Sequence, residues 1–281
     1  MDSAIPATMR AEALRRLRQI ERDEGVRVLY ACESGSRAWG FASPDSDFDV
    51  RFLYTHPPAW YLSIDRRRDV IERPIVDDLD VSGWDLRKAL GLMRKSNPVL
   101  GEWLGSPVVY LDREPALTER LRAAWADHFS PVSGGHHYLN MARRTHKTYL
   151  QDERVVRKKY FYALRPLLAV RWIESGRGPV PTPFAPLVDA VLPDGPVQAE
   201  VAALLDAKRA GAETDAGPHL PALDAFIASE LDRLGPLLQS WPKADADAAA
   251  LSGLFRSALA TLWPDADPLS PLPDAEHDPA A

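Results

Sequence analysis

Cysteine is almost absent: Cys32 is the one residue of its kind in 281. A lone cysteine cannot close an internal disulfide, which excludes a disulfide-stapled scaffold and leads us to expect a reducing, cytoplasmic setting. Cys32 lies in an apolar run and reads as a small buried hydrophobe rather than a nucleophile. Long hydrophobic runs are missing as well. None approaches the roughly 20 residues of a membrane span, and the first residues lack the apolar stretch of a signal peptide, so no membrane association is expected. There is no excess of positive charge: 34 Lys and Arg face 40 Asp and Glu, a net charge of −6. The whole molecule is therefore no general nucleic-acid binder, and any such surface must be local. His136, His137 and His146 fit no zinc spacing and read as ordinary histidines. No fixed-period repeat is visible.

What is present is an ordinary globular composition, 46% hydrophobic and 26% charged, in a chain long enough for one large or two modest domains. The informative stretch is 33–51, ESGSRAWGFASPDSDFDVR. Before it, 26–32 has the β-branched and aromatic content of a buried strand, and after it 50–54 continues a second strand. Between them Gly35-Ser36 makes a turn in which small residues let the backbone approach a ligand. A helix beginning near Ser36 would add partial positive charge suited to phosphate. Asp47 and Asp49 stand two apart, a spacing that puts both carboxylates on one face of a strand with Phe48 and Val50 on the other. Mg²⁺ suits such a pair, because it takes hard oxygen ligands from one or two carboxylates plus substrate phosphates. A phosphate cradle followed by a metal clamp describes an enzyme acting on a nucleoside triphosphate.

Gly35-Ser36, Gly40 and Ser46-Asp47-Phe48-Asp49 together resemble the signature of the DNA polymerase β-type nucleotidyltransferases. The longer string ESGSRAWGF…SDFDVRF resembles the RlaP/YcgL-like branch of predicted nucleotidyltransferases, some of which are found beside RNA-repair ligases. LRKAL…MRKSNPVLGEWLGSPVVY and KKYFYALRPLLAVRWIE resemble the same branch. The resemblance covers about the first two-thirds of the chain and weakens after about Ser175. It implies an α+β fold: a polymerase-β-like nucleotidyltransferase domain with a small mixed sheet, then an all-helical domain that completes the active-site cleft. It also implies Mg²⁺, two ions, held by Asp47, Asp49 and a third carboxylate. That third residue is expected between apolar neighbours on a sheet strand, which selects Asp80, with Asp78 as runner-up. Gly35 and Ser36 would hold the phosphates of the NTP, with ATP as the first expectation, and Asp80 would help activate the acceptor hydroxyl. Arg37 and Ser46 are further candidates for contact with the nucleotide.

The rest of the chain is read from periodicity and charge. Residues 8–24 form an amphipathic helix stopped by Gly25. Strands are expected at 70–75 and 76–84, a helix capped by Asp85 at 86–95, a short helix at 99–104 and a strand at 107–111. We place the domains at 1–112 and 113–263, with a disordered tail at 264–281. Gly134-Gly135 is read as a break, with helices at 136–151 and 153–174. From His136 to Arg171 nine Lys and Arg oppose only Asp152 and Glu153, a local excess that could meet polyphosphate or an RNA backbone. Lys159, Tyr162 and Arg165 share a helix face, where the cations could hold a triphosphate and the ring could stack on a base. Lys88, Lys95 and Arg66-Arg67-Arg68 are weaker basic candidates. The Ala-rich helices after 184 read as support without chemistry. Glu33, Arg37 and Arg51 are unusual charges beside the motif; they position substrate or pair with one another. The acceptor stays open between RNA, a protein side chain and a small molecule, and a non-catalytic nucleotide- or RNA-binding module is the alternative.

Overall fold

Helix α1 (Ala7–Glu24) forms where the spacing of apolar residues asks for it. It buries Ala13, Leu17 and Ile20 and ends at Gly25, whose φ of 61° closes the last turn onto the Glu21 carbonyl. The computed structural model describes residues 5–211, 216–241 and 248–270. After α1 come β1 (Arg27–Glu33), the one-turn helix α2 (Gly35–Trp39), β2 (Phe48–Thr55), α3 (Pro58–Tyr61), β3 (Val70–Glu72) and β4 (Leu79–Asp85). Helices α4 (Leu86–Arg94) and α5 (Pro98–Leu104) lead to β5 (Val109–Asp112). The five strands form one mixed sheet in the order β3-β4-β2-β1-β5. β1 runs antiparallel to β2 and β5, while β2 and β4 are parallel and joined by the crossover through α3 and β3. A parallel pair needs such a crossover because a tight hairpin cannot return the chain in the same direction.

β1 is buried from Val28 to Glu33, as a strand covered on both faces must be. α1 closes one face over Val28, Ala31, Val50, Phe52 and Val81. The other face, with Leu29, Cys32 and Leu53, merges with α4, α5 and the helices that follow into one larger core. Cys32 is fully buried, as read from its apolar context. Asp85 caps α4 as expected, its Oδ1 accepting from the Arg87 N–H at 2.8 Å.

The remaining helices are α6 (Pro115–His128), α7 (Pro131–Tyr149), α8 (Lys159–Glu174), α9 (Ala185–Val191), α10 (Pro196–Arg209), α11 (Pro221–Gln239) and α12 (Ala248–Leu262). α8 is buried nearly all round and forms the axis of this half. At the end of α12 the chain returns to the sheet: Trp263 donates from Nε1 to Thr55 Oγ1 at 2.9 Å. No helix among the described residues is long and apolar enough to cross a membrane. The fold is α+β with a small mixed sheet and many helices, as the resemblance implied.

Four local expectations fail. Gly134-Gly135 does not break the chain; α7 runs straight through it. Both glycines are there for close packing, since a Cβ on Gly134 would lie 2.7 Å from the Phe129 ring and one on Gly135 2.5 Å from Leu238. Residues 153–158 are not helical: β6 (Val155–Val156) pairs with β7 (Ala216–Gly217), so the second half is not purely helical. The strand expected from 76 starts only at Leu79, because Asp77 and Asp78 adopt positive φ of 54° and 59° in a turn. The strand at 70–75 is shortened to β3. Of the tail expected to be disordered, 264–270 form turns and bends. Residues 271–281 lie outside the described residues.

Candidate functional site

The end of β1 and the start of β2 are locked together by backbone bonds. Ser34 N–H donates to the Asp49 carbonyl at 2.8 Å, and Asp49 N–H donates to Glu33 Oε1 at 2.9 Å. Glu33 is fully buried, and its other oxygen accepts from the Tyr110 hydroxyl. Burial pushes Glu33 up to about 7, while the bonds from Tyr110 and Asp49 pull the other way. Gly35 turns the chain with φ 58°, and the Asp49 carboxylate lies directly against it: a Cβ at Gly35 would stand 2.2 Å from Asp49 Oδ2. The glycine is needed twice, for its backbone angle and for the space. α2, which follows, is only five residues long, so it contributes little of the helix dipole expected there.

Asp47 ends the loop before β2 and is exposed. The loop is held by Arg37, which donates to the Ser46 carbonyl at 2.6 Å and the Asp47 carbonyl at 3.1 Å while stacking 3.8 Å over the Phe48 ring. Asp49 on β2 and Asp80 on β4 are direct partners across the parallel pair. Arg51 bridges them, its Nη2 lying 2.8 Å from Asp49 Oδ1 and 2.7 Å from Asp80 Oδ2. Burial raises the Asp49 carboxyl above its ordinary value; Arg51 opposes this, and Asp80 and Asp47 add to it.

Asp47 and Asp49 share a cavity with side chains from the second half of the chain. It measures about 120 Å³ and is lined by Ser36, Ser43, Asp45, Ser46, Asp47 and Asp49 together with Lys158, Tyr162 and Lys208. Lys158 immediately precedes α8, Tyr162 lies one turn into it, and Lys208 is in the last turn of α10. Burial raises the Tyr162 hydroxyl, and the nearby Asp49 and Asp47 push it the same way. Volume alone does not select this site. A larger hollow of about 370 Å³ is lined by Arg171, Glu174 and Arg233 but by none of the motif residues.

The donor set can be tested against a divalent cation. Among the described residues no group of three or more His, Cys, Asp or Glu is arranged to hold a metal. Asp47 and Asp49 both line the cavity, and Asp49 Oδ2 has no part in the Arg51 pair. Two carboxylates plus substrate phosphates fit one Mg²⁺. Asp80 lies beside them in register but is bound to Arg51 rather than turned into the cavity.

Residues 9–257 match the family described as RlaP, the RNA repair pathway DNA polymerase beta family. The chain belongs to this family. The YcgL protein of Bacillus subtilis (strain 168) is 43% identical over 258 residues, covering 92% of this chain and 99% of that protein. A nucleotidyltransferase-like protein from Exiguobacterium sibiricum 255-15 has a crystal structure that overlaps 87% of this chain and 78% of its own, at 14% identity and a TM-score of 0.29, too low to support any argument. RlaP membership makes the chain a polymerase-β-like nucleotidyltransferase.

In this RlaP chain the motif residues Ser36, Ser46, Asp47 and Asp49 meet in one cavity, with Gly35 directly beneath Asp49. Arg37 stands behind the cavity and binds backbone rather than lining it. Arg165 is fully enclosed, paired with Glu102 Oε1 at 2.6 Å and lying 4.6 Å over the Trp39 ring. Trp39 in turn meets Tyr162 edge-on at 5.5 Å, so Arg165 supports the wall of the site from behind. The Lys159 ammonium lies over the rings of Tyr149 and Tyr162. Lys88 is paired with Asp69 and is not a lining residue. Sequence reasoning missed Ser43, Asp45 and Lys208, and counted Lys158 only among the nine cations of 136–171. Lys158 was adjacent to a named candidate; Lys208 gave no signal, because it comes from an Ala-rich helix read as support.

Proposed function

We propose that the chain transfers a nucleoside monophosphate from an NTP, ATP first among them, to an acceptor hydroxyl, with release of pyrophosphate. The observation that carries this reading is that Asp47 and Asp49 line one small cavity together with Lys158 and Lys208. Carboxylates alone would repel a triphosphate, and lysines alone would bind it without directing chemistry; the two together suit a phosphate chain accompanied by a cation. Lys158 and Lys208 hold the β- and γ-phosphates, with hydrogen bonds from the Ser36 and Ser46 hydroxyls. Mg²⁺ held by Asp47 and Asp49 would supply charge neutralisation at the phosphates. The acceptor oxygen forms its bond to the α-phosphorus as the α–β bridging bond breaks, and pyrophosphate carries away that electron pair. The hydroxyl proton leaves to water at the cavity mouth, and Asp80, which shares Arg51 with Asp49, positions the Asp49 carboxylate through that arginine. The lysines also stabilise the charge that builds on the leaving pyrophosphate.

RNA is the acceptor we infer, supported by the family's RNA repair description and by the cations clustered between Arg143 and Lys159. The test uses each α-³²P-labelled NTP with Mg²⁺ or Mn²⁺ and separate RNA, protein and small-molecule fractions from cells. Label in RNA alone supports this reading. Label on protein would move the acceptor to an amino-acid side chain, and label in the small-molecule fraction alone would exclude both polymers.

A further inference from the structure

Among the described residues, Tyr149 and Tyr162 are the only large aromatic side chains that are exposed, at 44% and 40%. Both are in reach of one ammonium: Lys159 Nζ lies 4.1 Å from the Tyr149 ring centre and 5.3 Å from that of Tyr162. Tyr162 also lines the cavity that holds Asp47 and Asp49. We propose that Tyr162, Lys159 and Tyr149 form a track leading out of the cavity that binds the end of a single-stranded polynucleotide. The proposal rests on the cavity being the nucleotide site and specifies how the acceptor reaches it.

Each part has a physical reason. Each ring keeps a face partly open to water beside one cation, a pairing of π-face and positive charge that suits a base and its phosphate. Bases that are not closed in a duplex present π-faces that stack on tyrosine whatever their sequence, and such stacking is worth roughly 1–3 kcal/mol per base. A phosphate joining two stacked nucleotides is favoured by a cation close to both rings, and the Lys159 ammonium is within 5.3 Å of each ring centre. At rest its ammonium lies over the rings; with a strand bound it exchanges the ring for a phosphate oxygen. The Tyr162 wall is preorganised, because the edge of Trp39 meets it at 5.5 Å and Trp39 is fixed by Arg165 and by a bond from its Nε1 to Glu102. Tyr149 closes α7 and is reached from solvent. A duplex offers neither open bases nor a backbone that can follow two rings so close to a narrow cavity, so a single strand is preferred.

The test is fluorescence anisotropy of a labelled ten-nucleotide single-stranded RNA titrated with the full chain. Wild type, Tyr149→Ala, Tyr149→Trp and Lys159→Ala are compared over a salt series. Tyr149→Ala should weaken binding by at least about five-fold, as loss of one stacked base requires, and Tyr149→Trp should restore it. Lys159→Ala should flatten the dependence of log affinity on log salt by about one phosphate contact. The same RNA annealed to its complement should bind more weakly. Equal binding by wild type and Tyr149→Ala, no rescue by Trp, or equal binding of the duplex would overturn the track. Binding of a fluorescent ATP analogue is measured alongside and should not change in Tyr149→Ala. If the wild-type chain fails to bind that analogue, the nucleotide reading of the cavity fails, whatever the RNA titrations show.

Discussion

Replacing Arg51 by Met tests the electrostatics of the site directly. The Arg51 side chain is 17% exposed and those of Asp49 and Asp80, which it bridges, are 27% and 29% exposed. Those two residues are in register on adjacent strands, so without the arginine they face each other as unpaired negative charges. Met keeps the length and volume of the stem but removes the charge, and Nη1 also gives up its bonds to the Val50 and Asp80 carbonyls. Breaking a fully buried pair costs about 3–5 kcal/mol. Partial exposure brings this down to about 2 kcal/mol at neutral pH in the absence of divalent metal. In a chain of this size that corresponds to a fall in Tm of roughly 4–8 °C. Calorimetry with chelator present gives that value. Added Mg²⁺ should then raise the Tm of Arg51→Met more than that of the wild type, because the unpaired carboxylates now favour a cation. Equal stability of the two proteins, or an equal Mg²⁺ shift in both, would refute the reasoning.

Three further outcomes follow from particular contacts. Gly35→Ala puts a Cβ 2.2 Å from Asp49 Oδ2 at a φ of +58°, so chemical denaturation should show a loss of at least about 1 kcal/mol and nucleotide binding should fall with it. Glu102→Gln leaves the buried Arg165 guanidinium without its counter-charge, at a cost of about 3 kcal/mol measured by guanidinium titration; an unchanged midpoint would show that Thr182 and Pro181 carbonyls suffice. His56 is stacked on Trp60 at 4.0 Å, and burial, with Arg67 and Arg87 nearby, pulls it down to about 4. The unfolded chain therefore binds the proton first. Stability should fall as pH drops from about 6.5 towards 4, by up to about 3 kcal/mol, and His56→Phe should remove that part of the pH profile.

The sheet half was legible because its signals are local. Apolar spacing gave α1, a β-branched run gave β1, and Asp85 capped the helix that its position foretold. The motif residues met in a cavity because Asp47 and Asp49 lie on one short stretch beside Gly35. What was not legible depends on distant partners. Gly134 and Gly135 look like punctuation in a sequence, and only the rings and side chains packed onto them show why they are glycines. Arg165 counts as one more cation in a basic stretch until Glu102, some sixty residues earlier in the chain, is seen to neutralise it. Lys208 reaches the cavity from an Ala-rich helix in which nothing local sets it apart from a surface lysine. The role of Arg51 was open in the sequence, and the parallel register of β2 and β4 assigns it to both carboxylates at once.

The most direct measurement is pyrophosphate release and label transfer from α-³²P-NTP by the wild-type chain and by Asp49→Asn, with RNA present and unfolding curves recorded for both. The account predicts metal-dependent transfer by the wild type and its loss in Asp49→Asn, with the unfolding transition retained. Undiminished transfer by a folded Asp49→Asn protein would contradict it, as would a wild type that binds NTP but releases no pyrophosphate with any acceptor fraction.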